Sequence, residues 1–174
     1  MHPSSIDNMK KARGYIESSL RPDMTILDVG GRALHKDKDR SYMPIFSDVA
    51  KDYWVADIID GIGVTHHMKE QYTLPLDDES VDLLVSGQTL EHVKNPFRLV
   101  ADMKRVLRKN GYMILIAPSA GRRHDAIDCW RFMDDSFKAI AEEVGLTVIE
   151  DWVTRSGYPE RSSQWADHTF IGKK

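Results

Sequence analysis

Apolar residues along this chain fall into two alternating patterns: short, nearly continuous runs, and longer stretches striped every three or four residues. The first pattern reads as buried strands and the second as amphipathic helices. The runs are Thr25 to Val29, closed by Gly30-Gly31; Tyr53 to Ala56, closed by Asp57; Val81 to Ser86; Tyr112 to Ala117; Leu146 to Val153; and Thr169 to Gly172. Val64 to Met68 is a further candidate. Ile6, Met9, Ile16 and Leu20 share one face of a predicted helix over residues 5–20, with serines before it and Pro22 after it. From Pro96 to Arg108 the stripe is Phe97, Leu99, Val100, Met103, Val106 and Leu107. Asn95 is placed to cap it, Pro96 suits the first turn, and Gly111 follows its basic end. A third helix runs from Asp135 to Val144 and stops at Gly145. Strands apolar on both sides, alternating with amphipathic helices, predict a doubly wound α/β fold with a mostly parallel sheet and helices on both faces. In such folds ligands bind beyond the carboxyl ends of the strands, so the loops after the strands are where chemistry is expected.

Composition narrows the class. The chain has 174 residues, 24 basic against 27 acidic, a formal charge of -3 and 41% hydrophobic residues. This predicts one globular domain over residues 1–174, with residues 1–22 packing as a helix on its core. A chain this long buries roughly 70% of its unfolded surface and needs no disulfide or metal staple. Its single cysteine, Cys129, excludes an internal disulfide and points to the cytoplasm. No apolar run reaches the roughly 18 residues that span a bilayer, and the start lacks a secretory pattern, so no membrane role is expected. The near-neutral charge argues against nucleic acid as a partner.

Two loops carry candidate chemistry. After the first strand, Asp28-Val29-Gly30-Gly31-Arg32 lets backbone approach a ligand, or is a plain turn; it lacks the G-x-G-x-x-G dinucleotide pattern, and a polar stretch, His35 to Ser41, stands where a helix would follow. After the second strand, Asp57 can accept from both hydroxyls of a ribose, or cap a turn shaped by Gly61 and Gly63.

In combination these segments resemble the class I S-adenosylmethionine-dependent methyltransferases, and the resemblance covers most of the chain. Ile26-Leu27-Asp28-Val29-Gly30-Gly31 resembles the family's first motif and Trp54-Val55-Ala56-Asp57 its acidic second strand. Leu74 to Val85, Gln88-Thr89-Leu90-Glu91-His92-Val93 and Arg105 to Tyr112 resemble the approach to the fourth strand, the turn after it and the lead into the fifth. Ala117-Pro118-Ser119-Ala120-Gly121, followed by Asp128-Cys129-Trp130-Arg131-Phe132, resembles a small-molecule subgroup with sugar or other polar acceptors. The resemblance implies a Rossmann-like methyltransferase sheet with an antiparallel last strand. It implies S-adenosylmethionine as cofactor and S-adenosylhomocysteine as product. It places Asp28, Gly30 and Gly31 around the methionine part, Asp57 on the ribose, Ile58 against adenine and Glu70 at the adenine amino group. Ser86, Gly87 and Gln88 would line the site between cofactor and acceptor. Two departures are plain: Arg32 and Leu34 replace glycines of the first motif, and Ala126 stands where the subgroup has proline. Arg32 is thereby free to pair with the cofactor carboxylate.

Methyl transfer from a sulfonium is an in-line displacement that needs alignment and water exclusion, and no metal in principle. A hydroxyl acceptor also needs a base, and His124 and His92 are the candidates by loop position. The other reading, favoured for His92, makes it a helix residue fixed by packing, and makes His124 a surface residue in a basic loop. Asp128, Trp130 and Arg131 are candidates for acceptor binding, with a structural clasp as the other reading. His66-His67 is not read as a metal pair, because successive strand residues point to opposite faces. The expected activity is methylation of a small polar acceptor at oxygen or nitrogen. The alternative is an inactive cofactor-binding module that serves in regulation or assembly; a nicotinamide enzyme is disfavoured by the missing third glycine. Either a monomer or a homodimer is compatible with the sequence. Trp152, Tyr158 and Trp165 are readable as core, acceptor wall or dimer contact.

Overall fold

The computed structural model describes residues 3–33, 41–155 and 165–174. Leu34, the polar stretch 35–40 and Tyr158 lie outside the described residues. The elements run α1 (Pro3–Ile16), β1 (Met24–Val29), α2 (Met43–Phe46), β2 (Ala50–Asp57), β3 (His66–His67), β4 (Val81–Gly87), α3 (Pro96–Val106), β5 (Leu107–Ala120), α4 (Ser136–Val144), β6 (Thr147–Arg155) and β7 (Ala166–Lys173). The strands form one seven-stranded sheet in the order β3-β2-β1-β4-β5-β7-β6. All neighbours from β3 to β5 are parallel, and β7 runs antiparallel to both β5 and β6.

Period-two alternation sends each central strand into two cores. Leu27, Val29, Leu84, Met113, Leu115 and Phe170 pack on one face with side chains of α3 and α4. Ile26, Leu83, Val85, Ile114, Ile116 and Ile171 pack on the other with Met9, Ala12 and Ile16 of α1 and with Tyr42 and Phe46. Both faces are therefore covered, which is why the central runs read as nearly continuous rather than alternating. No helix among the described residues is long and apolar enough to cross a membrane.

The local end signals act as expected in two helices. Asn95 accepts the Arg98 backbone N–H at 3.2 Å at the start of α3, and Gly145 takes a left-handed φ of 71° after α4. Two details differ from expectation. Phe97 is 41% exposed, while Pro96, Leu99, Val100, Met103 and Val106 are buried. At 3.6 residues per turn Phe97 sits about 100° around from Pro96 and so falls off the stripe. The helix also stops at Val106, because Leu107 turns into β5 opposite Val81. The short helix α2 had no counterpart in the sequence reading.

Candidate functional site

The sheet order reverses between β1 and β4, so the loops after these strands diverge and open a crevice at their carboxyl ends. The β1 loop bends sharply at Gly30, whose φ is +81°. A Cβ there would lie 2.1 Å from Thr89 Oγ1, and one on Gly31 would lie 2.5 Å from the Asp28 carboxyl. Both positions thus admit only glycine. The Asp28 side chain is buried under this turn and accepts the Tyr53 hydroxyl at 3.0 Å. Burial, helped by the charge of Asp57, pushes its carboxyl up to about 7 against the pull of that bond.

The β1 and β2 loops run side by side. Gly30 N–H donates to Ala56 O at 2.7 Å, and Ala33 N–H to Ile62 O at 3.2 Å. Asp57 takes the Ile59 N–H at 2.9 Å on one oxygen and the Arg32 N–H at 3.4 Å on the other. A carboxylate accepts about four bonds, so two positions are left for hydroxyls. Asp57 is therefore a turn cap with capacity to spare. Beyond it Ile58, Ile59 and Ile62 are exposed, an apolar ledge at the loop's tip. Arg32 packs its side chain on Gly61, and its Nε is buried without a hydrogen-bond partner among the described residues. Glu70 is exposed past β3, with only a 3.5 Å approach from Thr73 Oγ1.

At the end of β4, Ser86 Oγ donates to Val29 O at 2.7 Å, so it ties the two strands and offers no proton to a ligand. Gly87 leaves room for the Tyr42 hydroxyl, which would lie 1.8 Å from a Cβ and which shares a 2.6 Å hydrogen bond with Ser5 Oγ. Gln88, at a φ of 56°, gives its amide N–H to Asp167 at 2.9 Å, and the other Asp167 oxygen accepts from Ser4 at 2.8 Å. Tyr42 and Asp167 were not singled out in the sequence; both act across distant segments.

The next turn, Leu90–His92, faces the loop after β5. His92 Nδ1 is 2.5 Å from Ile127 O, so this nitrogen carries the proton and Nε2 keeps a lone pair, 3.6 Å from Glu91 Oε1. His124 mirrors this: its Nδ1 and backbone N–H both lie 3.1 Å from Asp128 Oδ2. The two imidazoles meet edge to face at 5.1 Å between centroids, and Trp165 closes on His124 at the same distance. Arg131 spends all five N–H groups inside the protein, on Asp128, Gly121 O, Trp130 O and Arg122 O. It is a clasp: its guanidinium holds the Asp128 carboxyl well below the usual carboxylate range and fixes the His124 loop. Trp130 is 42% exposed and anchored by its indole N–H to Val93 O at 2.8 Å. Glu91, quoted in the motif but given no role there, is fully buried, and burial pushes it up to about 7. His66 and His67 are apart from all this, one ring on Trp54 and the other bonded to Ile58 O.

The sheet order, the glycine turn and the acid at the tip of β2 are shared with one fold. The chain has the fold of the class I S-adenosylmethionine-dependent methyltransferases. Residues 48–115 match the family of methyltransferase domains. An uncharacterized methyltransferase of Mycobacterium avium is 30% identical over 115 residues, 63% of this chain and 44% of that protein. The biotin biosynthesis bifunctional protein BioHC of Teredinibacter turnerae is 28% identical over 105 residues, 52% of this chain and 18% of that protein. The chain thus spans less than half the length of these curated relatives. Among solved structures, the YcgJ protein of Bacillus subtilis superposes with a TM-score of 0.72 at 14% identity, covering 99% of each chain. A SAM-dependent methyltransferase of Aquifex aeolicus gives 0.60 at 18%, covering 99% of this chain and 98% of that one.

The methyltransferase cradle also fits its cofactor on the geometry above. Gly30 and Gly31 keep side chains out of the turn, Asp57 retains acceptor capacity for a ribose, and Ile58 offers an apolar ledge for a purine. The buried, unpartnered Arg32 Nε marks a guanidinium next to the cradle that can meet a carboxylate.

Proposed function

We propose that this chain transfers a methyl group from S-adenosylmethionine to an oxygen or nitrogen of a small polar acceptor such as a sugar. The cofactor, when bound, supplies an electrophilic methyl on a sulfonium. The observation that carries the acceptor assignment is the pair of imidazoles at the crevice, each with Nδ1 committed to a protein acceptor. Their Nε2 lone pairs are left over for an acceptor's proton. Thr89 packs on Gly30 immediately before the Leu90–His92 turn, so the glycine cradle and the histidines adjoin.

In this reading Asp57 holds the ribose hydroxyls, Ile58 lies on the adenine, Glu70 reaches its amino group, and Arg32 pairs with the methionine carboxylate. His124 Nε2 takes the acceptor's proton, and Asp128, bonded at Nδ1, is a positioning residue that stabilises the imidazolium. Trp165, edge to face on His124, covers this side from water. The exposed Cys129 thiol suits a reducing cytoplasm.

Thermal unfolding with S-adenosylhomocysteine tests the cofactor half. At about 100 times its dissociation constant the ligand adds about 2.7 kcal/mol, a rise on the order of 5 to 10 °C for a domain this size. Asp57→Ala should abolish most of that rise. No shift with the unaltered protein at millimolar ligand would sink the assignment. A second reading, an inactive cofactor-binding module, is favoured by Arg32 lying against Gly61 where the family has a glycine. It predicts the same thermal shift but no conversion of labelled S-adenosylmethionine with any sugar or amine offered.

A further inference from the structure

We propose that Glu91, His92 and His124 form a binding site for one divalent transition-metal cation, with coordination positions left open for the acceptor. The inference deepens the methyltransferase reading and rests on it for the acceptor alone. One potential ligand atom from each of the three residues lies within 4.8 Å of the other two, close enough for a single ion to bridge them after small side-chain adjustments. Glu91 is the independent sign. Its side chain is wholly enclosed, and neither carboxylate oxygen has a hydrogen-bond partner among the described residues. A buried carboxylate without donors is costly, and a cation is the ligand that both neutralises it and occupies its lone pairs.

The surroundings of the two imidazoles agree. Metal-bound histidines characteristically give the other ring N–H to a carbonyl or carboxylate, which fixes the tautomer and the ring's aim. His92 does so to Ile127 O, and His124 to Asp128, itself gripped by Arg131. Each ring therefore keeps a lone pair for coordination. Two nitrogens and a carboxylate suit Zn2+, Co2+ or Mn2+ better than Mg2+, and three protein donors leave positions open for exogenous oxygens. An acceptor with two adjacent hydroxyls, as on a sugar ring, would fill two of them. With the cation bound, His124 Nε2 is a ligand, and a coordinated hydroxyl of lowered pKa loses its proton to water instead.

The test uses the full chain, freed of metal by chelation, titrated with Co2+ and followed by visible d–d absorption. The expected result is one Co2+ per chain, displaced by Zn2+, with His124→Ala and His92→Ala each weakening binding by at least tenfold. Asp128→Asn, which leaves both Nε2 atoms in place but alters the partner of His124 Nδ1, should weaken it by about 10- to 100-fold. His67→Ala, away from the site, should change nothing. Glu91→Gln tests the carboxylate directly; if it fails to fold, the partly exposed His124 variant decides. Absence of d–d bands up to millimolar Co2+, or bands indifferent to His124→Ala, overturns the site. The thermal shift with S-adenosylhomocysteine is measured on the same metal-free protein. A retained shift without Co2+ bands removes the metal and leaves the methyltransferase reading, whereas Co2+ bands without that shift remove the latter and leave the metal site.

Discussion

Asp28 shows how a single side chain can couple a ligand loop to stability. Its carboxyl is enclosed beneath Gly31 and rises to about 7, above the roughly 3.9 of an unfolded aspartate. The folded chain then binds more protons than the unfolded one between about pH 4 and about pH 7, so this group's contribution to stability is present at the acid end and lost as pH rises through 7. Asp28→Asn should flatten that fall, and the difference between variant and parent in urea midpoint should grow steadily across the interval; a constant difference would disprove the linkage. Glu91 carries the same sign, so the variant retains part of the slope. Neither shift is legible in sequence, because an aspartate at a strand end and a glutamate beside a histidine look alike whether wet or dry. What made Asp28, Gly30 and Asp57 legible is their place directly after apolar runs. Glu91 was missed because its surroundings come from a segment about 40 residues further on, where the Cys129 N–H bonds its carbonyl and Asp128 stands near its carboxyl.

At the scale of elements, the strands were readable wherever both faces are buried. Val81 to Ser86 and Tyr112 to Ala117 alternate between two cores and are buried but for half-buried Tyr112; the one charged residue in them, Asp82, is held by the Thr25 N–H, Arg21 and Arg108. Helix α3 was readable from its stripe and its cap. Asn95→Ala should cost about 1 kcal/mol in chemical denaturation, by removing the acceptor of the Arg98 N–H. Phe97 marks the limit of pattern reading, since hydrophobicity at a flanking angle mimics the stripe. Replacing Phe97 by Ser should change stability by less than about 1 kcal/mol, whereas Leu99→Ala should cost about 2 to 5. Equal losses at the two positions would contradict the packing described. Helix α2 escaped notice because its four residues are too few to show a period; its anchor, Tyr42, is held by Ser5 of α1 and the space above Gly87.

For the whole molecule, the proposed reading divides the site into a cofactor cradle on β1 and β2 and an acceptor side after β4 and β5. The halves should separate experimentally. His124→Ala should lower turnover by about 10²- to 10⁴-fold while leaving the thermal response to S-adenosylhomocysteine intact. Loss of both together would mean that the imidazole supports the cradle. The division was expected from the family resemblance, which puts the cofactor after the first two strands and the acceptor near the fourth; the convergence of two histidines was not, since it depends on how loops about 30 residues apart meet.

The anchoring of α1 has a practical corollary. Ser4 reaches Asp167 and Ser5 reaches Tyr42 at the carboxyl edge of the sheet, while Lys174 bonds Leu107 O and Gly111 O at the opposite edge. The two ends of the described chain therefore point to opposite poles. A purification tag, sensor surface or fusion partner joined through residue 174 leaves the crevice facing the solution. The same attachment ahead of Pro3 crowds the rim of the crevice.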